Sequence, residues 1–194
     1  MRKVGAWLYV SLDGVMESPE KWASPYFTDE MWTLAGSGMA ESDTLLLGRR
    51  TYQEFAAYWP HQAGDVQFAD YLNNTLKLVV SRTLKEVEWR NSRLIRGDVV
   101  QELTELKQQP GKNITILGSA TLVRSLLRNG LLDELGLMIF PIVMSAGRRL
   151  FENGGDQIAL KLVQVRTFST GVVGVTYETT TARGISSSAP EFAG

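Results

Sequence analysis

Hydrophobic residues recur along the first three quarters of the chain in short runs that are rich in branched side chains. The runs occupy residues 3–10, 43–47, 76–80, 113–117 and 135–143. Each run is too short for a buried helix, so we predict five β-strands. Segments with helical spacing lie between them, most clearly at 120–129, where four aliphatic side chains fall on one face. Alternating strands and helices predict a largely parallel sheet that is covered on both faces.

The last part of the chain has a different pattern. Residues 158–167 and 172–179 each alternate apolar and polar side chains, and Phe168 to Gly171 join them with turn residues. This pattern is typical of an antiparallel hairpin. We therefore predict an α/β fold, in which a mostly parallel mixed sheet is flanked by helices and ends in a C-terminal antiparallel hairpin.

Composition narrows the possibilities further. The 194 residues, 44% of them hydrophobic, suit one domain over 1–181 followed by a small, polar tail at 182–194. Lys and Arg number 20 against 21 Asp and Glu, so the overall charge favours neither nucleic acid nor an anionic membrane. No apolar run approaches the roughly 20 residues of a membrane span. The absence of cysteine excludes disulfides and thiolate metal ligands; we expect no metal site, and a cytoplasmic location fits.

Two segments at predicted strand ends are suited to binding phosphate. Gly48, Arg49, Arg50 and Thr51 follow the second strand at the start of a helical stretch, where backbone N–H groups and guanidinium groups can hold an anion. Ser81 and Arg82 follow the third strand and could bind the phosphate on an adenosine ribose, which would favour NADP over NAD. The alternative for both segments is an ordinary turn with solvated arginines.

A third segment runs from Gly118 through Ser119, Ala120 and Thr121 to Leu122, between a strand and the amphipathic helix. Small residues there let a pyrophosphate approach the backbone at a helix N-terminus. The segment lacks the G-x-G-x-x-G pattern, which disfavours an ordinary Rossmann domain. Asp13, in Ser11-Leu12-Asp13-Gly14, is a candidate for substrate orientation or proton transfer, or else a turn residue. His61, the only histidine, is expected in an exposed loop, and no G-x-S-x-G elbow accompanies it.

These segments, in this order, resemble the family that unites dihydrofolate reductase with the C-terminal reductase domain of RibD from riboflavin biosynthesis, above all its bacterial single-domain members. The similar segments are SLDG, LLLGRRTY, LVVSRTL, LKQQPG, ILGSATLVRSLL, GLLDEL and FPIVMSAGRRLF, within roughly residues 1–180. The resemblance implies an NADPH-binding sheet and a homodimer. It places Gly48–Thr51 near the cofactor phosphates, Ser81 and Arg82 near the adenosine 2′-phosphate, and Gly118–Leu122 along the pyrophosphate.

The chain also departs from this family pattern. Ser119 stands where dihydrofolate reductase has the second of two glycines, and Asp29 or Glu30 could occupy the place of its substrate-binding acid on the first helix. RibD additionally carries a zinc deaminase domain with H-x-E and P-C-x-x-C signatures, which a sequence without cysteine cannot provide.

The resulting hypothesis is a reductase similar to dihydrofolate reductase or to 5-amino-6-(5-phosphoribosylamino)uracil reductase. It would transfer a hydride from NADPH to a C=N or C=O bond of a pterin- or ribosylaminopyrimidine-like substrate. Asp13, or a water molecule that it holds, would deliver the proton. In that case Asp13→Asn lowers turnover and leaves NADPH affinity intact. The alternative is a non-catalytic NADP-binding or regulatory protein that retains the fold.

Overall fold

The computed structural model describes residues 1–62, 64, 66, 68–152 and 157–179, so the tail expected at 182–194 lies outside the described residues. The strands are β1 (Val4–Ser11), β2 (Ser42–Gly48), β3 (Leu76–Val80), β4 (Ser92–Ile95), β5 (Asn113–Ile116), β6 (Glu134–Phe140), β7 (Leu160–Thr167) and β8 (Val173–Thr179). The α-helices are α1 (Asp29–Ala40), α2 (Arg49–Tyr58), α3 (Ala69–Asn74), α4 (Val99–Gln108) and α5 (Ala120–Arg128). Short 3₁₀ turns occupy Pro19–Lys21, Ser24–Tyr26 and Trp59–His61.

All eight strands form one sheet in the order β4-β3-β2-β5-β1-β6-β8-β7. Pairing is parallel from β4 through β6, and β8 joins β6 and β7 by antiparallel pairing. The predicted architecture is therefore confirmed, including the C-terminal hairpin. Because six neighbouring strands are parallel, their carboxyl ends all meet at one edge of the sheet, which we call the carboxyl edge.

Two details of the sequence prediction are wrong. The prediction omitted β4, whose four residues are partly polar and lie at the edge of the sheet. It also extended the fifth predicted strand to residue 143, whereas β6 ends at Phe140. Pro141 follows directly, and a proline has no N–H group to continue a sheet.

The sheet is covered on both faces. One face packs mainly against α4 and α5 in a core that contains Leu46, Ile114 and Leu126, all fully buried. The other face packs against α2 and α3 around Leu45 and Leu47, and against an aromatic cluster around Phe140. In the part of the chain that the structure describes, no helix combines the length and apolar character needed to cross a bilayer.

Candidate functional site

The carboxyl edge brings together the segments that the sequence singled out. Ser81 and Arg82 follow β3, and Gly118–Leu122 follow β5. Gly48 ends β2 and Arg49–Thr51 follow it, while Asp13 follows β1. These four strands are consecutive in the sheet. The candidate residues therefore form one row, with Ser81 and Arg82 towards β4 and Asp13 towards β6.

Gly48 and Ser119 hold the centre of this row together. The Ser119 hydroxyl oxygen accepts a hydrogen bond from the Gly48 N–H at 2.8 Å and lies 2.8 Å from the Thr51 hydroxyl. A Cβ atom at position 48 would stand only 2.7 Å from the Ser119 Oγ. Gly48 is thus required for the close approach of the segments that begin α2 and α5.

The start of α5 explains the departure at Ser119. Gly118 and Ser119 have φ angles of +93° and +67°, so both adopt a left-handed backbone conformation. For a serine this conformation costs about 1–2 kcal/mol, and the two contacts of its hydroxyl offset that cost. Ala120 and Leu122 are buried and Thr121 is exposed, so the buried pair can present only backbone N–H groups to a ligand.

A groove of about 470 Å³ lies between the carboxyl ends of β3 and β4. Ser81, Arg82, Arg96 and the start of α4 line it, together with Ser125. The Ser81 Oγ accepts hydrogen bonds from the Thr83 and Leu84 N–H groups at 3.2 and 3.0 Å. Arg96 was not among the predicted residues, because β4 was not predicted. The available signal was an arginine directly after a short run of mixed polar and apolar residues.

Arginines follow three neighbouring strands, β2, β3 and β4, at the carboxyl edge, although the whole chain has a net charge of −1. Arg49 donates to the Thr83 hydroxyl at 2.7 Å, and Arg96 donates to the carbonyl of Lys85. Within the described residues, Arg49, Arg50, Arg82 and Arg96 form no ion pair with a carboxylate. Four guanidinium groups without a carboxylate partner at one edge favour an anionic ligand there.

Asp13 accepts four hydrogen bonds. Its Oδ1 accepts from the Ser11 hydroxyl at 2.7 Å and the Met144 N–H at 3.0 Å, and its Oδ2 accepts from the Ser145 N–H at 3.0 Å and Arg149 at 3.3 Å. The Ser11 hydroxyl, followed by these other donors, holds the pKa of the Asp13 carboxyl well below its usual range. At neutral pH the group is an ionised acceptor. Proton delivery by Asp13 stays a prediction that this environment does not favour.

The remaining candidates do not directly follow any of these four strands. Asp29 and Glu30 are exposed in the first turn of α1, and neither side chain pairs with a described residue. His61 is exposed at the end of its 3₁₀ turn, as predicted. The rings of Trp22 and Tyr26 pack edge-on against that of Phe140, with their centroids 5.4 and 5.8 Å from the Phe140 centroid. Both side chains therefore contribute to the core. Among the described residues, no cluster of three or more acidic or histidine side chains is suited to hold a metal ion.

The family can be assigned from the sequence together with this geometry. The model of the RibD C-terminal domain matches residues 2–174. This chain belongs to the RibD C-terminal domain family. Two relatives come from Bacillus subtilis (strain 168). The uncharacterized protein YyaP is 34% identical over 138 residues, which cover 70% of this chain and 73% of YyaP. The uncharacterized protein YwjB is 26% identical over 175 residues, 88% of this chain and 95% of YwjB.

Solved structures share the fold. A putative riboflavin biosynthesis protein from Shewanella sp. PV-4 has a TM-score of 0.74 at 19% identity, covering 92% of this chain and 99% of that protein. A pyrimidine reductase-like protein from Corynebacterium diphtheriae has a TM-score of 0.65 at 14% identity, covering 93% of this chain and 92% of that protein. A diaminohydroxyphosphoribosylaminopyrimidine deaminase/5-amino-6-(5-phosphoribosylamino)uracil reductase from Thermotoga maritima has a TM-score of 0.65 at 13% identity. The match covers 92% of this chain and 57% of that protein. The dihydrofolate-reductase-like fold of the RibD C-terminal domain, expected from the sequence, is thereby confirmed.

Proposed function

We propose that this RibD C-terminal domain protein is an NADPH-dependent reductase that acts on a C=N or C=O bond of a small heterocyclic substrate, of pterin or ribosylaminopyrimidine type. The observation that carries the proposal is the set of four arginines at the carboxyl edge, close to the starts of α2, α4 and α5, that form no ion pair with a described carboxylate. Membership of the RibD C-terminal domain family supports an oxidoreductase, and the name of the Thermotoga maritima protein supports the substrate class.

The residues present fit this cofactor. Gly48 to Thr51 and Gly118 to Leu122 would hold the pyrophosphate on the N–H groups that begin α2 and α5. Ser81 and Arg82 would hold the adenosine 2′-phosphate beside the groove, with Arg96 adding positive charge. When bound, the nicotinamide supplies the hydride, and the protein supplies position and charge.

The proposal is tested by fluorescence titration of the protein with NADPH, with NADH as control. The same sample is then assayed for NADPH oxidation with dihydrofolate, pterins and ribosylaminopyrimidines. Selective NADPH binding with turnover of one compound is the expected result. Binding without turnover of any compound would favour the regulatory alternative, and a protein that bound neither cofactor would not be the proposed reductase.

Gly48→Ala is expected to weaken NADPH binding by about tenfold, because the new methyl group pushes Ser119 away and disrupts the approach of α2 and α5. Gly38→Ala is the matched control, since a Cβ atom there meets nothing within 4 Å. Titration of both variants with NADPH measures the effect. Unchanged NADPH affinity in Gly48→Ala would show that the contact between Gly48 and Ser119 is not part of the cofactor site.

We also propose that the protein forms a homodimer through β7. This strand is an outer edge of the sheet, and Leu162, Val163 and Val165 are 50%, 53% and 51% exposed. Exposed aliphatic residues on an edge strand favour pairing, and contact between the same patch on two copies closes on itself. Sedimentation analysis is expected to show a dimer for the wild type and a monomer for Val165→Glu. A monomeric wild type at about 100 μM, well above typical dimer dissociation constants, would contradict the proposal.

A further inference from the structure

The loop that leaves β6, residues 141–150, is bound along its length to the segment that leaves β1. The Leu12 N–H donates to the Ile142 carbonyl at 2.8 Å, and the Met16 N–H donates to the Arg148 carbonyl at 2.9 Å. The Leu150 N–H donates to the Gly14 carbonyl, also at 2.9 Å. We call residues 141–150 the clasp loop, because two carboxylates of the β1 segment hold it.

Asp13 and Glu17 are these carboxylates, and they use the same arrangement. Asp13 accepts from two main-chain N–H groups of the clasp loop and from the guanidinium of Arg149. Glu17 accepts from the Arg148 N–H and from the Arg148 guanidinium, both at 3.1 Å. The Arg148 amide, then its side chain, lowers the pKa of Glu17. Each carboxylate thus joins main chain and arginine side chain of the same loop.

The clasp loop contacts α5, one of the helices that begin at the proposed cofactor site. Arg124 of α5 donates to the Leu150 carbonyl at 3.2 Å and pairs with Glu152, just beyond the loop, at 2.9 Å. The positive charge of Arg50 on α2 also contributes, after the Arg148 amide and side chain, to lowering the pKa of Glu17. The loop is thus joined to α5 by direct contacts, and Glu17, which holds it, is subject to the positive charge of α2.

We propose that Asp13 is a positioning residue, which together with Glu17 fixes the clasp loop as a preformed wall of the cofactor site. This inference rests on the proposed function. It differs from proton delivery by Asp13, because a carboxylate that accepts four hydrogen bonds has each of its lone-pair sites in use. When Asp13 is replaced, proton delivery predicts unchanged NADPH affinity, whereas the positioning role predicts weaker NADPH binding.

The experiment compares Asp13→Asn, Glu17→Gln and Asp43→Asn by hydrogen exchange of the free protein and by NADPH titration. Asp43 is the matched control, because it accepts the Lys112 N–H at 2.8 Å and pairs with Arg2 at the opposite edge of the sheet. We expect amide exchange in residues 141–150 to rise about tenfold or more in Asp13→Asn and Glu17→Gln. We expect their NADPH dissociation constants to rise about fivefold, and that of Asp43→Asn to stay within about twofold.

Asp13→Asn that keeps wild-type loop exchange and NADPH affinity but loses turnover would assign proton delivery to Asp13 and overturn the positioning role. Glu17→Gln tests the positioning role independently, because no proton transfer is ascribed to Glu17 and a change in loop exchange or NADPH affinity there cannot come from lost proton delivery. A wild-type protein that bound no NADPH would instead overturn the proposed function. Loop exchange would then still decide whether Asp13 and Glu17 hold the loop.

Discussion

Replacing Arg82 by alanine is expected to weaken NADPH binding by about 10- to 100-fold and to change NADH affinity by less than about twofold. Arg82 is exposed beside the groove, and its side chain forms neither a hydrogen bond nor an ion pair with a described residue. Its guanidinium is therefore available to a phosphate, and a charge-assisted hydrogen bond of this kind contributes about 1.5–3 kcal/mol. Only NADPH carries the 2′-phosphate. Fluorescence titration with both cofactors measures the difference.

Arg93→Ala serves as the control for this experiment. Arg93 is an exposed arginine on neighbouring β4, but it pairs with Glu102 at 3.2 Å and does not line the groove. Its removal deletes the same charge, and we expect both cofactor affinities to remain near those of the wild type. An equal loss of NADPH and NADH binding in Arg82→Ala would contradict recognition of the 2′-phosphate. It would point instead to a general effect on the groove.

Sequence reasoning could anticipate the row at the carboxyl edge because it depends on one rule. Each of Gly48, Ser81 and Gly118 closely follows an apolar run, and parallel strands bring such positions to one edge. The order of the strands was not predictable in the same way. Gly48 and Ser119 are 71 residues apart, and no local pattern indicates that β2 and β5 are neighbours. The contact that makes Gly48 necessary came only from the structure.

The clasp loop and β4 were missed for related reasons. Asp13-Gly14 is a common turn pattern, and the partners that define the role of Asp13 are 131 to 136 residues away. Short-range signals cannot specify such contacts. β4 has only four residues, and an edge strand that is half exposed shows little apolar periodicity. The function of a residue could be predicted where it depends on the neighbouring sequence. It could not be predicted where it depends on which strands lie side by side in the sheet.

Phe140→Ala is expected to lower the free energy of unfolding by about 3–5 kcal/mol. Phe140 is fully buried at the end of β6. Its ring packs edge-on against four aromatic rings with centroids 5.4 to 5.9 Å away, those of Tyr9, Trp22, Tyr26 and Phe27. Truncation leaves a cavity and removes these ring contacts, each worth about 0.5–1.5 kcal/mol beyond burial. Urea unfolding measures the loss.

Two comparisons separate this effect from general core damage. Phe140→Leu keeps most of the volume, so we expect a smaller loss of about 1–2 kcal/mol. Leu46→Ala creates a cavity in the core on the other face, with a loss of about 2–5 kcal/mol. Only Phe140→Ala should also expose residues 19–27 to proteolysis, because that segment packs against Phe140 through its aromatic side chains. Equal protection of the segment in Phe140→Ala and Leu46→Ala would mean that Phe140 does not anchor it.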